Sequence, residues 1–228
     1  MTIISADHVK QQAKELGADL CGISSIERFQ DAPSGFHPTN IVASCKSVIV
    51  IAVRFPVSTL SVSPLAPYTL THNILFRKID SISFEVAANM ERLGSCAVPI
   101  PASEPYHYWD DSRRHGQGIL SLKHAAVRAG LGHIGKNTLL VNNQLGNLLC
   151  LGAILADSQL EADPIADYQV CRPGCSLCLD ACPVKALNGT AIEQRKCRSI
   201  CGKYTEGGGF VYTCNSCRKI CPNQQELK

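Results

Sequence analysis

Nine of the chain's thirteen cysteines fall in its last fifty-eight residues, as Cys171, Cys175, Cys178 and Cys182-Pro183, then Cys197 and Cys201, then Cys214, Cys217 and Cys221-Pro222. A segment this short cannot bury enough apolar surface to fold on packing alone, so the cysteines must supply a substitute core. Their spacing reads as two [4Fe–4S] clusters. A cube needs four thiolates converging from different directions; a tight loop supplies three, and in two-cluster ferredoxins the cysteine before proline crosses to the other cube. Cys171, Cys175 and Cys178 are therefore expected to take Cys221 as their fourth ligand. Cys214 and Cys217 are expected to share the second cluster with Cys182 and one of Cys197 or Cys201. The loop Cys171-Arg-Pro-Gly-Cys175 has one residue more than the bacterial pattern, which Pro173 and Gly174 can absorb in a turn.

Structural zinc also uses Cys-x2-Cys pairs, but it gives no reason for two Cys-Pro endings, each separated by three residues from such a pair. Disulfides are disfavoured by the opening, where Met1-Thr-Ile-Ile-Ser-Ala has no basic n-region, apolar h-region or small-residue cleavage site. A reducing cytoplasm is the expected compartment. The longest apolar runs, such as Val48–Val53, are too short to span a bilayer, so no membrane partner is expected. A formal net charge of +3 with scattered basic residues gives no nucleic-acid footprint.

The 45% hydrophobic content supports a packed core upstream of the cysteines. Ser5 and Asp7 precede Val9, Ala13 and Leu16 at helical spacing, with Gly17 as C-cap. Ala18–Ile23 and the β-branched Ser47–Phe55 read as buried strands. Between Ser58 and Pro67 no regular element is expected. Helical periodicity returns over Thr71–Leu93 through Ile74, Leu75, Ile79, Ile82, Val86 and Met90. Cys96–Pro101 reads as a strand, Ile119–Ala129 as a helix, and Thr138–Val141 and Leu148–Leu155 as strands. Apolar patterning ends near Asp163-Pro164, which divides the chain into an α+β domain over 1–160 and a cluster domain over 161–228. Gly207-Gly208-Gly209 is a turn between ligand-bearing segments.

A second informative stretch is Ala129-Gly-Leu-Gly-His-Ile-Gly-Lys-Asn137, whose glycines permit positive φ and close backbone approach. It follows a helix and precedes a strand, the reverse of a dinucleotide fingerprint, so a Rossmann reading fails. By spacing alone it is a helix C-cap followed by a tight turn.

Together with Lys123-His-Ala-Ala-Val-Arg128 before it, Gly146, Leu151-Gly-Ala-Ile-Leu155, Leu16-Gly-Ala-Asp-Leu-Cys-Gly-Ile23 and the cysteine-rich tail, this stretch resembles the epoxyqueuosine reductase family over nearly the whole chain. The resemblance implies a cobalamin-dependent iron–sulfur reductase. It implies an amino-terminal α+β domain like the flavin-type nitroreductases and cobalamin-processing chaperones, followed by a ferredoxin-like double [4Fe–4S] domain, with the corrinoid between them. It also implies that Gly132, Gly135, Lys136 and Asn137 bind near the cofactor's nucleotide tail. Cys197 matches the family's isolated cluster ligand, leaving Cys201 a free thiol beside it. Three departures stand beside these matches. The segment Arg113–Leu120 has no counterpart of the family's proton-donating carboxylate, His133 replaces a common Trp, and the chain ends at Lys228 without the tRNA-gripping repeats. The expected substrate is therefore a small molecule, with nucleic acid not expected.

With that carboxylate missing, the aromatic segment Tyr106-His-Tyr-Trp-Asp-Asp111 offers Tyr106 and Tyr108 as candidate general acids, with His107 and His115 behind them. Such a loop more commonly just packs over a core edge. His124 and His133 read as structural histidines, and Cys21, Cys45, Cys96 and Cys150 as small buried hydrophobes. The function these features suggest is a reductase that passes electrons through two clusters to a corrinoid; the alternative is an electron-transfer or corrinoid-handling protein whose partner is another redox protein. A homodimer is a further expectation for a chain this short.

Overall fold

The computed structural model describes residues 4–224; the Met1–Ile3 opening and the last four residues lie outside the described residues. Helix α1 spans Ala6–Glu15, and the Ser5 side chain caps it by accepting a hydrogen bond from the His8 N–H at 3.2 Å. Strands β1 (Leu20–Ser25) and β2 (Ser47–Arg54), the long helix α2 (Ala66–Arg92) and strand β3 (Ala97–Ile100) follow. Next come the hairpin β4 (Tyr108–Asp110) and β5 (His115–Gln117), helix α3 (Leu122–Arg128), the short pair β6 (His133–Ile134) and β7 (Leu140–Val141), and strand β8 (Leu149–Ala156).

The central sheet is antiparallel in the order β1-β2-β8-β3, with Ile51 opposite Gly152 and Ala97 opposite Ala156. Its two middle strands read as continuous apolar runs because both faces are covered. Ile49, Ile51 and Val53 of β2, with Cys150 and Ile154 of β8, pack against α1 and α2. Val48, Val50 and Ala52, with Leu151, Ala153 and Leu155, face α3. The period-two alternation of strand side chains thus sorts one run into two cores. Each fully buried Ile or Leu contributes about 1.5–3 kcal/mol by area removed from water. Gly152 lets α2 approach closely: a Cβ there would stand 2.2 Å from the Ile79 Cγ2 atom.

The cysteine-rich tail carries three short helices, α4 (Leu177–Asp180), α5 (Gln194–Arg198) and α6 (Ser216–Lys219), and a hairpin of β9 (Gly202–Tyr204) and β10 (Phe210–Tyr212). Its own apolar core is small, built on Cys182, Ala186 and Leu187 with Leu179, Val184, Ile192, Cys197 and Cys217 around them. Tyr212 packs on the main core, and polar contacts also reach back to the α+β layers. The Tyr212 N–H donates to Thr69 Oγ1 at 2.9 Å, Asn215 Nδ2 to the Leu60 carbonyl at 3.0 Å, and the Asn147 N–H to the Asn223 carbonyl at 3.1 Å. Asp163 ties the connecting segment down, accepting from the Ile23 N–H at 2.8 Å and from Lys10 Nζ at 2.5 Å.

Three local expectations change. Helix α2 begins at Ala66 rather than Thr71, because Pro67 in its first turn gives up only an N–H that would have no helical partner there. The Ser/Pro-rich stretch before it holds a 3-10 turn at Val57–Leu60. The β4–β5 hairpin, which no alternation announces, pairs Trp109 with Gly116. Gly207–Gly209 fall in the turn of the β9–β10 hairpin, in keeping with the turn expected there.

Candidate functional site

Four of the tail's cysteines, Cys171, Cys175, Cys178 and Cys221, line one shallow hollow that opens to solvent. Three come from the loop leading into α4, and the fourth arrives from the far end of the tail, where α6 packs against α4. Gly135, Lys136 and Asn137 complete the wall. The Lys136 N–H donates to the Cys171 sulfur at 3.4 Å, and its ammonium group donates to the Cys175 carbonyl at 2.7 Å. Asn137 Nδ2 reaches the Cys217 carbonyl at 3.3 Å. Gly132, at φ 145°, lies so close to the facing strand that a Cβ would stand 2.2 Å from the Val141 carbonyl oxygen. The glycine-rich stretch therefore forms a bracket whose closed turn aims Lys136 and Asn137 at the tail.

A second group gathers around the tail's small core. Cys182 is buried with Ala186 and Leu187, and Cys197 and Cys217 pack against them. The Ala186 N–H donates to the Cys182 sulfur at 3.2 Å. Cys214 lies within electrostatic reach of both Cys197 and Cys217. Cys201 follows Cys197 by one helical turn, its N–H bonded to the Cys197 carbonyl at 2.9 Å. That spacing is why either could be read as a ligand; of the two, Cys197 is the one packed on the small core. Among the described residues no group of three or more His, Cys, Asp or Glu side chains forms a ready site for a metal ion. The N–H···S bonds and the thiol-lined hollow suit a group that spreads its sulfur ligands around a larger core.

Between these groups and the sheet lies Arg218, 7% exposed, and Asn147, 1% exposed. The guanidinium donates to the Asn147 carbonyl at 2.7 Å while Asn147 Nδ2 donates to the Arg218 carbonyl at 3.0 Å, a reciprocal clasp. Arg218 also lies over the Phe55 ring, 5.3 Å from its centroid. Beside it, His72 sits in an aromatic box of Phe55, Tyr68, Phe76 and Tyr212, with centroids 4.8–5.2 Å away. Burial, assisted by the Arg218 charge, pushes its imidazole down to about 3. Sequence reasoning missed Arg218 and Asn147: a basic residue inside a ligand loop and a lone Asn after Gly146 carry no signal of their own.

The aromatic segment frames a larger, mainly apolar hollow of about 300 Å³, lined by Ile100, Pro101, Ser103, Pro105, Tyr106, His107, Gly118, Ile119 and Leu120. Tyr106 lines it, whereas Tyr108 turns to Phe36, with centroids 5.3 Å apart. No carboxylate is among these lining residues. The hairpin behind them is held by α5: Gln194 donates to the Gly116 carbonyl and accepts from its N–H, both at 3.0 Å. Arg198 lies 5.3 and 5.0 Å from the Tyr106 and Trp109 ring centroids. The helix that bears Cys197 thus also holds the wall of the hollow, a link invisible in the sequence because 78 residues separate Gln194 from Gly116.

His133 is satisfied structurally, bonded through Nε2 to the Ala166 carbonyl at 2.9 Å. Burial pushes the Cys21 thiol up to about 12 and those of Cys45 and Cys150 to about 11. Cys96 departs from expectation: it is exposed, because it sits just before β3 where the chain leaves the core. Among the described residues no helix is long and apolar enough to cross a membrane.

No family model matches the chain. An epoxyqueuosine reductase of Staphylococcus aureus is 34% identical over 233 residues, an alignment covering 97% of this chain and 59% of that protein. Among solved structures, the epoxyqueuosine reductase from Streptococcus thermophilus has a TM-score of 0.67 at 22% identity, covering 96% of this chain and 66% of that one. A reductive dehalogenase described in terms of B12-dependent dehalogenation has a TM-score of 0.69 at 20% identity, covering 97% of this chain and 32% of its own. The chain thus has a mixed helix-and-strand fold common to both, and spans less than two thirds of the length of each of these three proteins.

Proposed function

Because the chain belongs to the epoxyqueuosine reductase family, we propose that it is an iron–sulfur reductase acting on a small organic molecule in the hollow behind Tyr106. The observation that carries this reading is the lining of one hollow by Cys171, Cys175, Cys178 and Cys221, with Cys182, Cys197 and Cys217 packed together in the tail's small core. Cys171, Cys175, Cys178 and Cys221 would hold one [4Fe–4S] cluster, and Cys182, Cys197, Cys214 and Cys217 the other. When bound, the clusters supply single electrons and a corrinoid supplies the reducing cobalt. The hollow of about 300 Å³ supports the corrinoid part, being mainly apolar and open to solvent.

The chain's own residues position and supply protons. Lys136 and Asn137 hold the cluster end against the α+β layers, so their contacts support a role at the iron–sulfur site more than at the nucleotide tail of a corrinoid. Tyr106 is the candidate proton donor at its hydroxyl, because it lines the hollow and Tyr108 does not. The two residues of α5 that grip the hairpin keep that hydroxyl at the wall. The relatives are named for epoxyqueuosine; the proposal of a small substrate here rests on the carboxylate-free lining of the hollow.

The test is anaerobic purification with iron analysis, followed by titration with cobalamin. About eight iron atoms per chain and a changed corrinoid spectrum are expected. Iron well below that number would remove the cluster reading. Full iron without cobalamin binding would leave an electron-transfer protein instead, and turnover of epoxyqueuosine in tRNA would replace the small-substrate reading.

A further inference from the structure

A buried charge is costly unless something of opposite sign answers it, and Arg218 has no carboxylate within ion-pair distance among the described residues. Its hydrogen-bond partner is a neutral carbonyl, that of Asn147, and its ring contact is Phe55. The titratable groups packed around it from the other elements are uncharged in the folded protein. On α2, burial raises the Tyr68 hydroxyl and lowers His72 to about 3, so the phenol stays protonated and the imidazole stays neutral. On β8, burial lifts Cys150 to about 11, so that thiol also stays protonated. What remains is the neighbouring residue in the chain, Cys217, and the thiols gathered with it.

We infer that Arg218 is the counter-ion of the cluster held by Cys182, Cys197, Cys214 and Cys217, and that its fixed charge raises that cluster's reduction potential. The inference rests on the reading of those four thiols as one cluster site. Four thiolates outweigh the positive charge of the iron–sulfur core, and the excess grows by one when the cluster takes an electron from an external one-electron donor. A guanidinium that cannot lose its proton, held in a low-dielectric setting by the clasp to Asn147, interacts more strongly with the reduced state than with the oxidised one. The other site is lined by two cations, Lys136, partly open to solvent and engaged with a carbonyl, and Arg172, exposed. The two potentials are therefore set by different residues.

The experiment compares wild type, Arg218→Gln and Arg218→Lys, each purified anaerobically, by iron analysis and by stepwise reduction with dithionite and mediators followed by electron paramagnetic resonance. Arg218→Gln is expected to keep its iron and to shift one cluster's one-electron equilibrium about tenfold toward the oxidised form, which is about 59 mV more negative. The other midpoint stays within about threefold. Arg218→Lys, which keeps the charge, is expected to restore most of the shift. Full iron with both midpoints unmoved in Arg218→Gln overturns the inference. If Arg218→Gln loses half its iron, retention in Arg218→Lys supports a need for charge, and equal loss in both overturns it. Wild type without iron would instead remove the cluster reading on which the inference stands.

Discussion

His72 offers the sharpest quantitative check on how the tail is seated. It lies on α2, 9% exposed, with Nε2 3.2 Å from the Tyr68 hydroxyl and its Nδ1 atom without a partner among the described residues. Its ring packs against Tyr212 of the tail. Burial, then the nearby Arg218 charge, holds the folded imidazole near 3, against an ordinary 6.5. The folded state therefore binds fewer protons than the unfolded chain between these two values, and stability falls as pH drops through 6.5 and levels off below about 3. Lowering pH from 7 to 5 crosses about 1.5 units of that window, which at ~1.4 kcal/mol per unit removes about 2 kcal/mol. His72→Phe suits the aromatic box and removes the titration. Urea unfolding of the anaerobic holoprotein at both pH values measures the difference, since carboxylate and cluster effects are common to both proteins. Wild type should lose about 2 kcal/mol more than the variant, roughly 1 M in midpoint. Equal losses would refute the reasoning.

Other outcomes follow from neighbouring geometry. Gly152→Ala, whose Cβ would meet Ile79 at 2.2 Å and the Ser83 hydroxyl at 2.9 Å, should cost about 1–3 kcal/mol in urea unfolding by overpacking α2 against β8. Gln194→Ala removes both bonds to Gly116; at about 1 kcal/mol each, tryptic cleavage at Arg113 and Arg114 should accelerate about thirtyfold, and an unchanged rate would mean that α5 does not restrain the hairpin. Alkylation with iodoacetamide at pH 8, read by mass spectrometry, should modify exposed Cys96 well before Cys21, Cys45 or Cys150. The raised pKa of those three leaves almost no thiolate at that pH.

Much of the scaffold was readable because its elements obey local rules. Ser5 and Gly17 bracket α1, and the β-branched run of β2 and the apolar run of β8 are strands by composition alone. The start of α2 was misplaced because Pro67 reads as a breaker until its position in the first turn is known. The hairpin at 108–117 was missed because its exposed polar and aromatic residues show no alternation.

The cysteine spacing by itself carries the expectation that this tail serves iron–sulfur clusters, since a cube's ligands must come in a short loop plus a distant return. It could not choose between Cys197 and Cys201, which are one turn apart; only the packing of Cys197 on Cys182 and Leu187 separates them. Nor could it say what faces those thiols. That Lys136 bonds to Cys171, that Arg218 is buried with no carboxylate beside it among the described residues, and that Gln194 holds the wall behind Tyr106 are decided by the tertiary structure. The reason is physical: ligand identity is written in local spacing, whereas the charge and hydrogen bonds around a ligand come from residues tens of positions away that meet only when the layers pack.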